Sequence, residues 1–313
     1  MEGTEIEMTD LKFKPVEAED MKVLAPYFGL RPNKTCDSVP LDSFIWRKYY
    51  HVRYAIHENK ALLWLMKEDG VMHSAMPLCK EEDLKKYFDM TVEYFNQVLH
   101  IPFKIYLADE EAIEFLHLKE SEDFVVTEQE DLKDYLYDGE AMRKLSGKKL
   151  HKKKNHLNAF LKEYEGRYEF RRLCCSDRDD VWRFLDRWRE RKGDEVEEHL
   201  DYEVEGIHEI LKQCLDLDIR MSGVYIDGKL EAFTIGSYSQ AENMAVIHIE
   251  KANPEIRGLY QFINQQFLVQ EFPDVTLVNR EDDLGQEGLR HAKMSYNPCG
   301  FARKYLVQQK NFK

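Results

Sequence analysis

The spacing of apolar residues changes period along this chain, and the changes mark its elements. Leu84, Phe88, Val92, Phe95 and Leu99 recur every three to four residues, which predicts a helix over 82–99. Short apolar runs predict strands at 11–16, 53–56, 62–66, 71–78, 103–107 and 123–127. Helices are expected near 17–28, where Glu17, Glu19 and Asp20 load the first turn with acid, and near 41–49 and 110–116. The second half opens with a strand at 168–173. Ser176 and Asp177 then begin a helix carrying Val181, Trp182, Leu185 and Trp188, and a further helix is expected at 205–215. Strands at 223–226 and 230–237 flank Asp227-Gly228, a strong hairpin signal.

The densest pattern lies between Met244 and Val307. A strand at 245–251 leads through a Gly-containing loop into a helix at 259–271, with Phe262, Ile263, Phe267 and Leu268 on one side. A strand at 275–279, a short helix at 286–293 and a last strand at 303–307 follow. Strand, helix, strand is a crossover unit, which joins parallel strands. The order of elements in the first half matches that in the second: 82–99 with 259–271, 103–107 with 275–279, 110–116 with 286–293. We read two duplicated α/β units, 1–140 and 141–313, with the first mainly structural and the second holding the site.

Composition narrows the class. The chain has 313 residues, 43% hydrophobic and 33% charged, as in a soluble globular protein. Its net charge of −14 excludes nucleic-acid binding by bulk charge. No apolar run reaches the roughly 20 residues a membrane span requires, and the first residues lack the pattern of a signal peptide. The six cysteines show no C-x-x-C pair, so neither a zinc site nor a disulfide framework is expected, and a reduced, cytoplasmic setting is.

One segment reverses the charge. Residues 143–165 enter the second unit as a basic helix, rich in lysine near its start. Lys148, Lys149, Lys152, Lys153, Lys154 and Asn155 form a patch suited to phosphates of an RNA such as tRNA; the bland alternative is a solvated linker helix. Lysine makes point-charge contacts with a backbone and does not read bases.

Ionic side chains converge where the later strands end, which is where open α/β sheets place ligands. Acyl transfer requires a base, a group to stabilise an oxyanion, and a hold on both substrates. Glu250, at a strand's end, is the first candidate base, alternatively half of an ion pair. Glu281 and Asp283 are alternative bases, or would hold a cationic aminoacyl side chain such as lysyl. Lys293 would stabilise an oxyanion or grip a phosphate; otherwise it is a cation at a helix C-terminus. Lys251, Arg257 and Arg290 are candidate phosphate contacts, and Asn279 and Tyr296 candidate substrate contacts. His248 and Tyr305 read as core residues. No metal-ligand spacing is present.

The motifs Gly147-Lys148-Lys149-x-His151-x-Lys153-Lys154-Asn155-His156, Ile249-Glu250-Lys251-Ala252 and Asn279-Arg280-Glu281-x-Asp283-Leu284-Gly285, continuing to Tyr296-x-Pro298, together resemble a soluble bacterial family. That family is grouped with the C-terminal domain of phosphatidylglycerol lysyltransferase. The resemblance implies two tandem domains of the GNAT (acyl-CoA N-acyltransferase) fold, an α/β (α+β) arrangement of mixed sheets flanked by helices. The same architecture occurs in Fem-type transferases, which take aminoacyl groups from tRNA. It implies an acyl- or aminoacyltransferase with aminoacyl-tRNA or acyl-CoA as donor, and an amine, hydroxyl, peptide or lipid-headgroup acceptor. The alternatives are an acetyl-CoA-dependent enzyme and a non-catalytic RNA-binding protein. Glu255-Ile256-Arg257-Gly258-Leu259-Tyr260 departs from the acetyl-CoA loop, because Tyr260 stands where a small residue lets a pyrophosphate approach.

Overall fold

The computed structural model describes residues 11–192 and 198–312. Among the described residues there are three sheets, a seven-stranded one mainly from the second half and a four- and a three-stranded one mainly from the first. In the second half Tyr168–Arg172, Arg220–Ile226, Lys229–Ser239, Met244–Ala252, Leu277–Asn279, Asp134–Asp138 and Gly300–Ala302 lie side by side in that order. In the first half the order is Lys14–Pro15, Arg53–His57, Ala61–Glu68 and Val71–His73. An isolated parallel bridge from Ser74 to Ile105 continues it into Lys104–Asp109, Lys304–Gln309 and Phe124–Glu128.

The strand pairings show a reciprocal exchange between the halves. Each half ends on a strand pair, Phe124–Glu128 with Asp134–Asp138 and Gly300–Ala302 with Lys304–Gln309. The last strand of each pair is inserted into the other half's sheet. Asp134–Asp138 pairs with Leu277–Asn279 on one side and Gly300–Ala302 on the other. Lys304–Gln309 pairs with Lys104–Asp109 and Phe124–Glu128. The duplicated order of elements therefore extends to strand position, and the backbone hydrogen bonds of each sheet require a strand from the opposite half.

Several expectations are corrected here. The segment from 128 to 165, where the sequence reading finds no strand, contains the strand Asp134–Asp138 and the helix Gly139–Lys144 before the basic helix His151–Glu163. Asp138 caps the first of these helices by accepting from Ala141 N at 2.7 Å. Cysteine pairing also differs from the sequence reading: a disulfide joins Cys175 to Cys214, with 6.0 Å between their Cα atoms.

The crossover unit forms as the sequence dictates. Met244–Ala252 and Leu277–Asn279 are parallel, with Val246 opposite Asn279. The helix between them, Leu259–Glu271, buries Phe262, Ile263, Phe267 and Leu268 against the sheet. Each contributes roughly 1.5–3 kcal/mol relative to exposure. Gly258 precedes the helix at φ 84°, and a Cβ there would lie 2.1 Å from the carbonyl oxygen of His156. Only glycine lets the basic helix pack this closely on the start of Leu259–Glu271.

Candidate functional site

A cavity of about 1270 Å³ lies between the two halves. The first half, expected to be scaffold, supplies Asp42, Trp46, Tyr50 and Trp64 to its wall. The second half supplies the ends of its central strands and the loop that follows Asn279.

One end of the cavity is cationic and aromatic. Glu250 lies near the end of its strand there, but both of its oxygens are engaged: Asn264 donates at 2.7 Å and Arg280 at 2.8 Å. Arg280 lies over the ring of Tyr296, 4.8 Å from its centroid. Burial alone would lower the Arg280 pKa, yet the Glu250 carboxylate outweighs it and raises it. Lys153 sits over the Tyr296 ring, with Nζ 4.2 Å from the centroid. Burial and the nearby Arg280 charge lower its pKa. Tyr296 is pushed up to about 12 by burial, against the opposing pull of Arg280. Lys251 also lines the cavity, paired with Glu203 at 2.5 Å and lying over Trp188 at 4.0 Å.

The other end is acidic. The strand Met244–Ala252 bulges at His248: Ile235 pairs with Ile249 and Gly236 with Ile247, leaving residue 248 without a partner across the ladder. The bulge turns the His248 ring toward Glu281, whose Oε1 lies 2.8 Å from Nδ1, while Nε2 lies 3.0 Å from Ser237 Oγ. Burial pushes His248 down to about 3. Burial, reinforced by Asp134, holds the Glu281 carboxyl well above its usual range. Ser237, His248 and Glu281 thus have the connectivity of a hydrolytic triad. Ser237 does not line the cavity and is only 4% exposed, so its hydroxyl orients the imidazole and offers no nucleophile.

Lys293 is buried on the cavity side of its helix, Glu287–Met294. Its ammonium donates to the carbonyl of Arg280 at 2.6 Å and to that of Asp282. It therefore pins the loop in which Glu281 adopts φ 57°. Burial lowers its pKa, opposed by Asp282 and Glu281.

The remaining expected residues lie elsewhere. Asn279 is fully buried behind the wall, donating to the Lys34 carbonyl at 2.8 Å and to Asp134 at 3.0 Å. Its own oxygen accepts from Glu281 N at 2.7 Å. Asp283 is buried away from the cavity, held by Tyr135 at 2.5 Å and by Arg290 at 2.9 Å. Arg290 pairs on its other side with Asp131 at 2.6 Å. Arg257 is exposed on the loop before Leu259–Glu271, outside the cavity. Of the basic patch, Lys148, Lys149, Lys152, Lys154 and Asn155 are exposed, and Lys153 alone among them lines the cavity. The lysines at the start of His151–Glu163 stand at the positive end of the helix dipole, where a cation is unfavourable without an anion.

The chain matches the model for "Phosphatidylglycerol lysyltransferase, C-terminal" over residues 37–308. It belongs to the phosphatidylglycerol lysyltransferase C-terminal family. Solved structures agree. A conserved protein of unknown function from Bacteroides thetaiotaomicron superposes with a TM-score of 0.85 at 25% identity, covering 96% of this chain and 100% of that one. L-PGS from Bacillus licheniformis gives 0.67 at 14% identity, covering 96% and 95%. FemX gives 0.65 at 9% identity, covering 96% and 98%. The fold of this member of the lysyltransferase C-terminal family is an arrangement of mixed sheets flanked by helices, shared over nearly its whole length with L-PGS and FemX, as the sequence resemblance implied. Among the described residues no helix is long and apolar enough to cross a membrane.

Within this family member, sequence reasoning missed Arg280, Cys36 and Asp42. Arg280 adjoins residues that were singled out, and its place at a strand's end was the available signal. Cys36 and Asp42 carry none, because only the packing of one half on the other brings them to Glu281.

Proposed function

We propose that this chain transfers an aminoacyl group from tRNA to an amine or hydroxyl acceptor within the cavity between its halves. The observation that carries the reading is the cationic, aromatic end formed by Lys153, Arg280 and Tyr296, continuous with the exposed lysines of His151–Glu163. Such a surface suits the phosphates at the end of a polynucleotide, with lysine ammoniums as backbone contacts. Family membership supports the same class of chemistry. In this reading Glu250 and Lys293 work mainly by holding Arg280 and the loop 280–282, and Glu281 is the group placed to accept the acceptor's proton. Packing at Gly258 speaks against acetyl-CoA. The start of Leu259–Glu271, where a pyrophosphate would settle, is covered by the His156 carbonyl.

The test is transfer of a radiolabelled amino acid from a mixture of charged tRNAs to small amines and lipid headgroups, scored for wild type, Lys153→Ala, Glu250→Gln and Lys293→Ala. The expected result is transfer by wild type and at least a tenfold fall in kcat/KM for Lys153→Ala. Absence of transfer from every charged tRNA would overturn the reading. Unchanged rates in all three variants would overturn the residue roles.

A further inference from the structure

We propose that Cys36, Asp42 and Glu281 form a binding site for a divalent first-row transition-metal ion at the acidic end of the cavity. The Cys36 thiol and one carboxylate oxygen each from Asp42 and Glu281 all lie within 4.8 Å of one another. Ligand atoms around one tetrahedral ion, at 2.0–2.3 Å from the metal, are about 3.3–3.8 Å apart. Closure onto an ion therefore needs side-chain movements of about 1 Å. The first half supplies two ligands, from the turn Cys36–Ser38 and the helix Pro40–Ile45, and the second half supplies the third from its 280–282 loop.

A second observation is independent of this spacing. Asp42 is only 9% exposed, yet no hydrogen bond or ion pair reaches its carboxylate among the described residues. A buried carboxylate without a partner costs several kcal/mol unless it is neutralised or meets a cation. The surroundings do not provide that cation. Asp37, Asp42, Asp134, Glu281 and Asp282 act on one another electrostatically here, against the ammoniums of Lys293 and Lys304. Lys304 is already committed to Asp134 at 2.8 Å and Asp37 at 3.4 Å. Lys293 is committed to two backbone carbonyls. An added divalent charge would offset part of that acidic excess.

The flanking groups suit such a site. Lys304 Nζ lies 3.1 Å from Cys36 Sγ, placed to donate to a thiolate, and Cys36 N donates to Asp134 at 2.5 Å. His248 fixes Glu281 through its Oε1. Hydrogen bonds of this kind orient metal ligands. A thiolate with two carboxylates selects zinc, cobalt or ferrous iron over magnesium or calcium. Three protein ligands leave a coordination position facing the cavity, the pattern of an open site.

The experiment titrates the chelator-treated full chain with Co²⁺ and follows absorbance, with Zn²⁺ and Mg²⁺ measured by calorimetry. The expected result is one Co²⁺ per chain with a thiolate-to-cobalt charge-transfer band, tight Zn²⁺ binding, and Mg²⁺ binding at least a hundredfold weaker. Cys36→Ser should abolish the band, and Asp42→Asn should weaken binding at least tenfold. Asp42→Asn is isosteric and removes no hydrogen bond or ion pair found among the described residues, so the metal-free variant should be as thermostable as wild type or more so, which separates lost ligation from lost folding. No Co²⁺ or Zn²⁺ uptake, or uptake unchanged in both variants, overturns the site. So does binding of lysine amide that Asp42→Asn abolishes while no metal binds, because the acidic end would then serve an organic ammonium. None of these readouts depends on aminoacyl transfer, so failure of the metal site leaves the transfer reading standing, whereas a bound metal would make Glu281 a ligand in place of a free base.

Discussion

Arg280 donates to Glu250 at 2.8 Å across the ends of neighbouring parallel strands, and neither side chain is more than 13% exposed. A buried pair of this kind does little for net stability as a unit, but removing one partner strands a charge in a low-dielectric setting. Glu250→Ala should therefore lower unfolding free energy by about 3–5 kcal/mol. Arg280→Ala should cost a similar amount, and the double variant should cost clearly less than the sum. Urea denaturation of the four proteins measures the coupling. Additive losses, within about 0.5 kcal/mol, would show that each side chain is held by other contacts.

Much of this geometry was legible in the sequence where local pattern decides structure. The helix Leu259–Glu271 fell at its expected bounds, because apolar periodicity and the preceding glycine act within the segment itself. The strand Asp134–Asp138 was missed because its hydrogen-bond partners lie some 140 residues away, in an exchange that no local window contains. The site was legible in part for the same reason. Glu250, Glu281, Lys251, Lys293 and Tyr296 sit on consecutive elements of one crossover unit, and the fold brings them to one cavity. Asp42 reads locally as an ordinary acid in a helix's first turn. Asn279 and Asp283 look ligand-ready in sequence, but satisfy buried hydrogen bonds that only the strand exchange creates.

Close packing of the basic helix on Leu259–Glu271 rests on one missing side chain. Gly258 combines φ 84° with a His156 carbonyl oxygen 2.1 Å from any Cβ. Gly258→Ala incurs both the left-handed backbone penalty and an overpacked contact, together roughly 2–4 kcal/mol. Thermal unfolding should show the loss. Gly288→Ala, with nothing within 4 Å of its Cβ, should be neutral or slightly stabilising and serves as the control. Equal effects at both positions would mean that the two helices separate without cost.

The Cys175–Cys214 disulfide spans 39 residues that include the helix Arg178–Lys192 and the helix Glu198–Gln213. Closing a loop of that length restricts the unfolded chain by about 3–4 kcal/mol in the chain-entropy view. Cys175→Ser and Cys214→Ser should each lose up to that amount in chemical denaturation without reductant. With reductant present, wild type and variants should converge. A mass spectrum of alkylated, unreduced protein gives the direct check: four alkylated cysteines are expected, at Cys36, Cys79, Cys174 and Cys299, and six would show that the bond does not form.

His73 sets a pH dependence of its own. Its ring is 1% exposed, edge-on to Tyr106 at 4.7 Å and to Tyr50 at 6.1 Å, with Lys104 nearby. Burial pushes it from 6.5 down to about 4; a backbone hydrogen bond at Val71 opposes the shift, and the Lys104 charge adds to it. Between those values the unfolded chain binds a proton that the folded chain refuses. The stabilisation from a neutral His73 is thus complete above pH 6.5 and is lost as pH falls toward 4. Its size is at most about 3 kcal/mol. Urea denaturation at pH 7, 6, 5 and 4 should show wild type losing stability more steeply than His73→Phe, which keeps the aromatic contacts and has nothing to protonate. Parallel pH profiles would mean that the ring takes up its proton in the folded state at an ordinary pKa, with solvent reaching it between the two tyrosines.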